Sequence, residues 1–102
     1  MGCGFLEKVY ENSLAIELRK MGFSVEQQKG ITVCYSGQVV GEYFADLLVD
    51  GCVVVELKTV KALDNAHVAQ GLNYLKAAGL RLCLLINFGR PSVEVRRVMN
   101  GF

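Results

Sequence analysis

The stretch Asp46-Leu-Leu-Val-Asp-Gly-Cys-Val-Val-Val-Glu-Leu-Lys58 constrains this chain more than any other. Two apolar runs meet at Asp50-Gly51, a dipeptide suited to the positive-φ turn of a β-hairpin. The segment therefore predicts two antiparallel strands, about Val39 to Val49 and Cys52 to Val60. Charges are set into those runs: Asp46 in the first, Glu56 and Lys58 in the second. A charge inside a sheet is costly unless it is paired or bound to a metal. Two carboxylates facing one point form a hard oxygen site of the kind that Mg²⁺ or Mn²⁺ takes. Lys58, two residues past Glu56, points to the same strand face. From there it can hold a water or offset a developing negative charge.

Side chains alternate along a strand, so the hairpin loop decides whether the two acids meet. A two-residue loop at Asp50-Gly51 pairs Asp46 with Val55 and sends Glu56 to the opposite face. A shared site requires an odd loop or a bulge. A three-residue loop from Val49 to Gly51, with Gly51 left-handed, sets Asp46 opposite Val54 and diagonal to Glu56. The expected outcome is a pair of carboxylates within about 6 Å, near enough to share one cation. In the metal-free protein, at least one of them should have a raised pKa.

The rest of the chain frames this hairpin. Leu6, Val9, Tyr10, Ser13, Leu14 and Ile16 fall at helical spacings between about Gly4 and Met21, with Gly22 as a C-terminal stop. Ile31 to Tyr35 reads as a short strand ending at Ser36-Gly37. Asp64 is a candidate N-cap for a helix running to about Ala78, with Gly79 beyond it. Leu80 to Phe88 is almost wholly apolar, as in a strand covered on both faces. After the turn Gly89-Arg-Pro-Ser, Val93 to Val98 alternates apolar with charged residues, the pattern of a half-exposed edge strand. The order α-β-β-β-α-β-β, without repeat or linker, implies an α/β domain spanning residues 1–102 with a mixed sheet flanked by helices. A chain of 102 residues with 52% apolar content supports one such core.

Asp46 with Glu56-x-Lys58 resembles the signature of the PD-(D/E)xK nuclease superfamily. Gly4-Phe-Leu-Glu7-Lys-Val-Tyr10 matches the pattern that names the GxxExxY proteins, placed within that superfamily. The stretches Gly41-Glu-Tyr-Phe-Ala-Asp-Leu-Leu-Val and Leu84-Leu-Ile-Asn-Phe-Gly look like the same family. The resemblance implies a restriction-endonuclease-like αβββαβ core, here with an added C-terminal edge strand. It implies Mg²⁺ (or Mn²⁺) as cofactor, a further backbone ligand from the Leu57 carbonyl, and a glutamate from the first helix. Glu7 and Glu11, one turn apart, are both candidates for that glutamate. Each has a competing reading as a solvated helix charge. Relatives usually carry more helix before the glycine motif. A short variant, or a protein partner covering the N-terminal surface, is the expectation that follows.

The second helix brings His67, Gln70 and Tyr74 to one face by offsets of three and four. Gln70-x-x-x-Tyr74 resembles the Q-x-x-x-Y motif of RecB-like nucleases, which implies a glutamine near the metal and a tyrosine holding helix or substrate. The competing reading is a polar face that caps backbone groups or meets water. Lys58 has its own competing role, a simple pair with Glu56. Glu42 shares the strand face of Asp46 and is a further candidate. Arg81, Arg90, Arg96 and Arg97 are candidate phosphate contacts or solubility residues.

Two functions compete. One is a metal-dependent phosphodiesterase acting on nucleic acid, DNA rather than RNA by analogy. Asp46, Glu56 and Lys58 would carry the chemistry, with Gln70 beside them. The other is a non-catalytic binding or assembly module that retains the nuclease fold. A formal net charge of +1 is not the basic surface usual in nucleic-acid binders, although a local patch suffices. Phosphate loops and a G-x-S-x-G nucleophile elbow are absent. Cys3, Cys34, Cys52 and Cys83 are scattered, without metal spacing, and read as buried reduced thiols of a cytoplasmic protein. No long apolar run suggests a membrane. The edge-like last strand and the first helix leave apolar surface, so a homodimer through one of them is expected.

Overall fold

The computed structural model describes residues 3–101, with side chains from Leu6 onward. The elements in chain order are α1 (Cys3–Lys20), β1 (Val25–Tyr35), β2 (Gln38–Val49), β3 (Val53–Lys58), α2 (Asn65–Ala78), β4 (Leu82–Asn87) and β5 (Glu94–Met99). The strands form one sheet in the order β1-β2-β3-β4-β5. The first three make an antiparallel meander, β4 runs parallel to β3, and β5 returns antiparallel at the edge. The β3–β4 connection contains α2, because parallel neighbours need a long crossover. The expected α/β order with a mixed sheet and an added edge strand is therefore the order found.

The helices cover opposite faces. Alternation along β3 and β4 splits their apolar residues between two cores. Val54, Cys83 and Leu85 pack with Tyr74 and Leu75 of α2. Val55, Leu57, Leu84 and Ile86 pack with Leu14, Ala15 and Leu18 of α1. Burying such branched side chains is worth about 1.5–3 kcal/mol each, so the central strands hold both helices in place. The helix boundaries follow from capping. Asp64 Oδ1 accepts from Ala66 N–H and His67 N–H, and the Asp64 N–H donates to His67 Nδ1. Gly79 takes φ 71° and Leu80 N–H donates to the Leu75 carbonyl, ending α2. Gly22 does the same for α1, with Phe23 N–H donating to the Leu18 carbonyl.

Two expectations need correction. The strand expected from Ile31 begins at Val25. Its first residues, Val-Glu-Gln-Gln-Lys, lack a β-like apolar alternation because Gln27 and Gln28 are spent on hydrogen bonds to α1. Second, the cysteines are not uniformly buried. Cys83 is in the core, but Cys34 lies exposed on the distal β1–β2 ribbon and Cys52 in the β2–β3 loop. The Cys3 side chain lies outside the described residues. Among the described residues, no helix is long and apolar enough to cross a membrane.

Candidate active site

The β2–β3 loop has the odd length that the shared site requires. Val49 pairs with Val53, leaving Asp50, Gly51 and Cys52 as the loop. Asp50 and Gly51 take φ of 52° and 67°, and Cys52 N–H donates to the Val49 carbonyl at 3.0 Å. The loop lies one residue later than expected, which moves the register by two. Continued past its last pair, Leu47↔Val55, it sets Asp46 level with Glu56 rather than opposite Val54. The ladder stops there, while β3 continues its pairing with β4 to Lys58. In the gap between β2 and β3, Asp46 Oδ2 accepts the Leu57 N–H at 2.7 Å. A side chain thus satisfies a strand N–H that the β2 backbone no longer reaches.

A second irregularity aims Asp46. Val25 packs on the α1 side and Ile31 on the α2 side, and on β2 Leu47 faces α1 while Ala45 faces α2. Strict alternation would keep each of these pairs on one face. The slip falls at Gln28 and Asp46, between the pairs Gln27↔Leu47 and Lys29↔Ala45. Gln28 is left-handed there, with φ 52°. A local bulge of this kind re-aims a side chain beside a functional site. The Gln28 amide donates to Glu11 Oε1 at 2.6 Å and to Asp46 Oδ1 at 3.2 Å, bracing Asp46 against α1.

Glu56 and Lys58 share a strand face and open onto the α2 side. There they line a cleft with Tyr43, Phe44, His67, Gln70 and Tyr74. The acids act on one another. Burial and the nearby Asp46 carboxylate push Glu56 up to about 8, with Lys58 opposing and Glu7 adding to the rise. Burial and Asp46 also raise Glu7, again against Lys58. Asp46, Glu56, Lys58 and Glu7 are therefore one electrostatic unit. The expectation of a raised carboxyl pKa is met at Glu56.

The two glutamates of α1 part company. Glu11 is buried and its carboxylate is occupied, accepting from Lys8 Nζ, the Gln27 amide and the Gln28 amide. Burial would raise it, but those hydrogen bonds outweigh burial and hold it below the usual range. Glu7 is the α1 acid coupled to the site acids. The Tyr74 hydroxyl donates to the Lys29 carbonyl at 3.0 Å, which ties α2 to β1 and gives this residue a structural task at the cleft wall. His67 caps its own helix through Nδ1. Gln70 lies on the cleft wall. Glu42 is exposed on the distal ribbon, opposite Thr32, and is not among the cleft residues. Nor is any arginine; Arg90 pairs with Glu94 at 3.5 Å, and Arg96 and Arg97 are exposed on β5.

Sequence reasoning gave no role to Gln28 or Asn87 and read Gly89 only as the start of a turn. Asn87 is fully buried; its side chain accepts from Val60 N–H and Gly89 N–H and donates to the Val60 carbonyl and Glu94. A Cβ on Gly89 would collide with the Val60 backbone. Both therefore fix the segment that leaves the sheet directly after Lys58. One polar residue closing an otherwise apolar strand was the available signal for Asn87.

Asp46, Glu56 and Glu7 are hard oxygen donors of the right chemical kind for Mg²⁺ or Mn²⁺. Their mutual repulsion is what a divalent cation would relieve. Among the described residues, no three His, Cys, Asp or Glu side chains converge tightly enough to form a complete cage.

Comparison with known proteins bears on this arrangement. The crystal structure of SSO0001 superposes with a TM-score of 0.75 at 15% identity, covering 100% of this chain and 54% of that one. The alkaline exonuclease LHK-Exo of Laribacter hongkongensis superposes with a TM-score of 0.64 at 14% identity, covering 92% of this chain and 56% of that one. At such identities the likeness is one of fold, and the chain spans about half the length of each. No curated protein matches the sequence. The family model of the PD-(D/E)XK nuclease superfamily matches residues 1–98. With a match over nearly its whole length, the chain belongs to the PD-(D/E)XK nuclease superfamily.

Proposed function

We propose that this chain is a metal-dependent phosphodiesterase domain acting on nucleic acid, DNA in preference to RNA. The observation that carries the proposal is the coupling of Glu56 to Asp46, Lys58 and Glu7 where β2 and β3 part. Asp46, Glu56, Glu7 and the Leu57 carbonyl are the proposed donors to Mg²⁺ or Mn²⁺. Such an ion, when bound, acidifies a water and neutralises phosphate charge. Asp46 is held for this by Leu57 N–H and Gln28. Lys58 orients the attacking water and offsets negative charge on the phosphate oxygens in the transition state. Gln70 and His67 lie on the cleft wall, placed to position the substrate. In-line attack leaves a 5′-phosphate and a 3′-hydroxyl.

The test is titration of the protein with Mn²⁺ by calorimetry. Wild type should bind and Asp46→Asn should not, with both folded by circular dichroism. A non-catalytic module is the second reading, favoured by the lack of any arginine along the cleft among the described residues. It expects no Mn²⁺ affinity that depends on Asp46.

A further inference from the structure

Consecutive residues of a strand point to opposite faces. Gln27 and Gln28 break that rule. Their amides reach the same carboxylate, Gln27 donating to Glu11 Oε2 at 2.7 Å and Gln28 to Glu11 Oε1 at 2.6 Å. The left-handed backbone at Gln28, φ 52°, is what brings the second amide round to α1. Such a conformation is uncommon in a residue with a side chain and costs stability. Glu11 alone does not account for that cost, because Lys8 and Gln27 already satisfy its Oε2. The second proton of the Gln28 amide does account for it, since it goes to Asp46 Oδ1 at 3.2 Å. One NH₂ group thus bridges two carboxylates. Turning the amide over would set its oxygen against acceptors, so its orientation is fixed. With Leu57 N–H on Oδ2 at 2.7 Å, Asp46 is held at both oxygens. Each oxygen keeps a further lone pair for a cation.

We infer that Gln28 is a positioning residue for the metal site: anchored on Glu11, it sets the plane of the Asp46 carboxylate for a divalent cation without itself touching the cation. This deepens the metal-dependent reading above and rests on it. The two acids of α1 then serve the site differently. Glu7 is a proposed donor, and Glu11, gripped by Lys8 and Gln27, is the fixed point from which Gln28 reaches Asp46. The bulge in β1 belongs to the same device, because a regular strand would turn Gln28 away from Glu11. A carboxylate that ligates metal depends on the hydrogen bonds that orient it, and losing such a partner costs about 10–100-fold in metal affinity.

The test pairs Mn²⁺ calorimetry with amide hydrogen exchange of the metal-free protein, on wild type, Gln28→Met and Gln28→Gly. Gln28→Met keeps the length of the stem and removes the donor. Gln28→Gly removes the donor and the strain together, since glycine takes positive φ freely. Both should weaken Mn²⁺ binding about tenfold or more. Gln28→Gly should melt no lower than Gln28→Met, so the loss of metal does not track a loss of fold. Without metal, the Leu57 amide should exchange about fivefold faster in both variants, the scale of one net hydrogen bond. The Val55 amide, inside the β2–β3 ladder, should keep its wild-type rate. Equal Mn²⁺ affinity in wild type and both variants overturns the inference and leaves the metal site standing. An unchanged Leu57 amide also overturns it, because Asp46 would then need no brace. Affinity lost in Gln28→Met but kept in Gln28→Gly overturns it too, since strain and not the missing donor would be the cause. Wild type that binds no Mn²⁺ removes the metal reading and the inference together.

Discussion

Tyr10 lies flat on Phe88, ring centroids 4.0 Å apart and planes 3° from parallel. The contact joins the N-terminal half of α1 to the end of β4, one helical turn from Glu7. Phe88 is itself placed by its N–H, which donates to the Lys58 carbonyl. Two motifs far apart in sequence, Gly4 to Tyr10 and Leu84 to Gly89, thus meet beside the site. Tyr10→Ala should lower stability by about 2–4 kcal/mol, the lost burial plus ~0.5–1.5 kcal/mol for the aromatic pair. Tyr10→Phe should stay within about 0.5 kcal/mol of wild type. Urea unfolding monitored by circular dichroism measures both.

Gly89 and Asn87 should be the least tolerant positions near Lys58. Gly89→Ala places a Cβ against the Val60 backbone, which cannot give way as a flexible side chain would. Asn87→Leu strands the Val60 N–H and carbonyl that the amide satisfies. Each should cost at least about 3 kcal/mol or prevent folding. Gly51→Ala, a positive-φ loop position with open space around it, should cost only about 1 kcal/mol. Thermal melts of the three variants give the ranking.

Much of this architecture was legible in the sequence. The hairpin, the capped second helix and the apolar central strand each carried a strong local signal. Asp64 and Gly79 bound α2 as their chemistry requires. Parity correctly demanded an odd β2–β3 loop. It misplaced the loop by one residue because the extra residue proved to be Cys52, after the turn, rather than Val49 before it. The start of β1 was hidden because Gln27 and Gln28 answer to Glu11, a partner sixteen and seventeen residues distant in the chain. The division of labour between Glu7 and Glu11 was hidden for the same reason. Nothing local marks one carboxylate as saturated and the other as coupled to the site. Gln28 takes a left-handed conformation that its residue type does not announce.

The raised Glu56 carboxyl gives a stability profile with a definite sign. Its folded value, about 8, lies above the ordinary 4.5, so the folded state keeps its proton longer than the unfolded state. Stability from this source is full below pH 4.5 and drains as pH rises through about 8. In EDTA, the melting temperature should fall as pH rises from about 4.5 to about 8 and level off above that. Glu56→Gln should flatten the fall, and millimolar Mn²⁺ should raise the melting temperature of wild type at the alkaline end. A wild-type profile indistinguishable from that of Glu56→Gln would remove the claimed coupling.

Self-association is a separate expectation. Leu6, Val9 and Ile16 stand exposed on α1, and Val95 and Met99 on β5. Arg96 and Arg97, adjacent on the edge strand, make strand-to-strand pairing of two copies costly. A homodimer is therefore proposed through α1. Light scattering at about 100 µM, where contacts of ~8 kcal/mol are populated, should give twice the monomer mass, reverting to one with Ile16→Asp. A monomeric wild type at that concentration contradicts it.

Asp46, Glu56 and Lys58 are proposed to carry phosphodiester chemistry. The most direct measurement is Mn²⁺-dependent cleavage of single-stranded, frayed and duplex DNA by wild type and Lys58→Met, compared at equal folded fraction. Lys58→Met keeps the length of the stem and removes the charge. It should cut about 10²-fold more slowly or worse, the scale of losing one electrostatic stabiliser, while still binding Mn²⁺. Wild type that cuts, with Lys58→Met cutting equally well, would show that the chemistry lies elsewhere in the molecule.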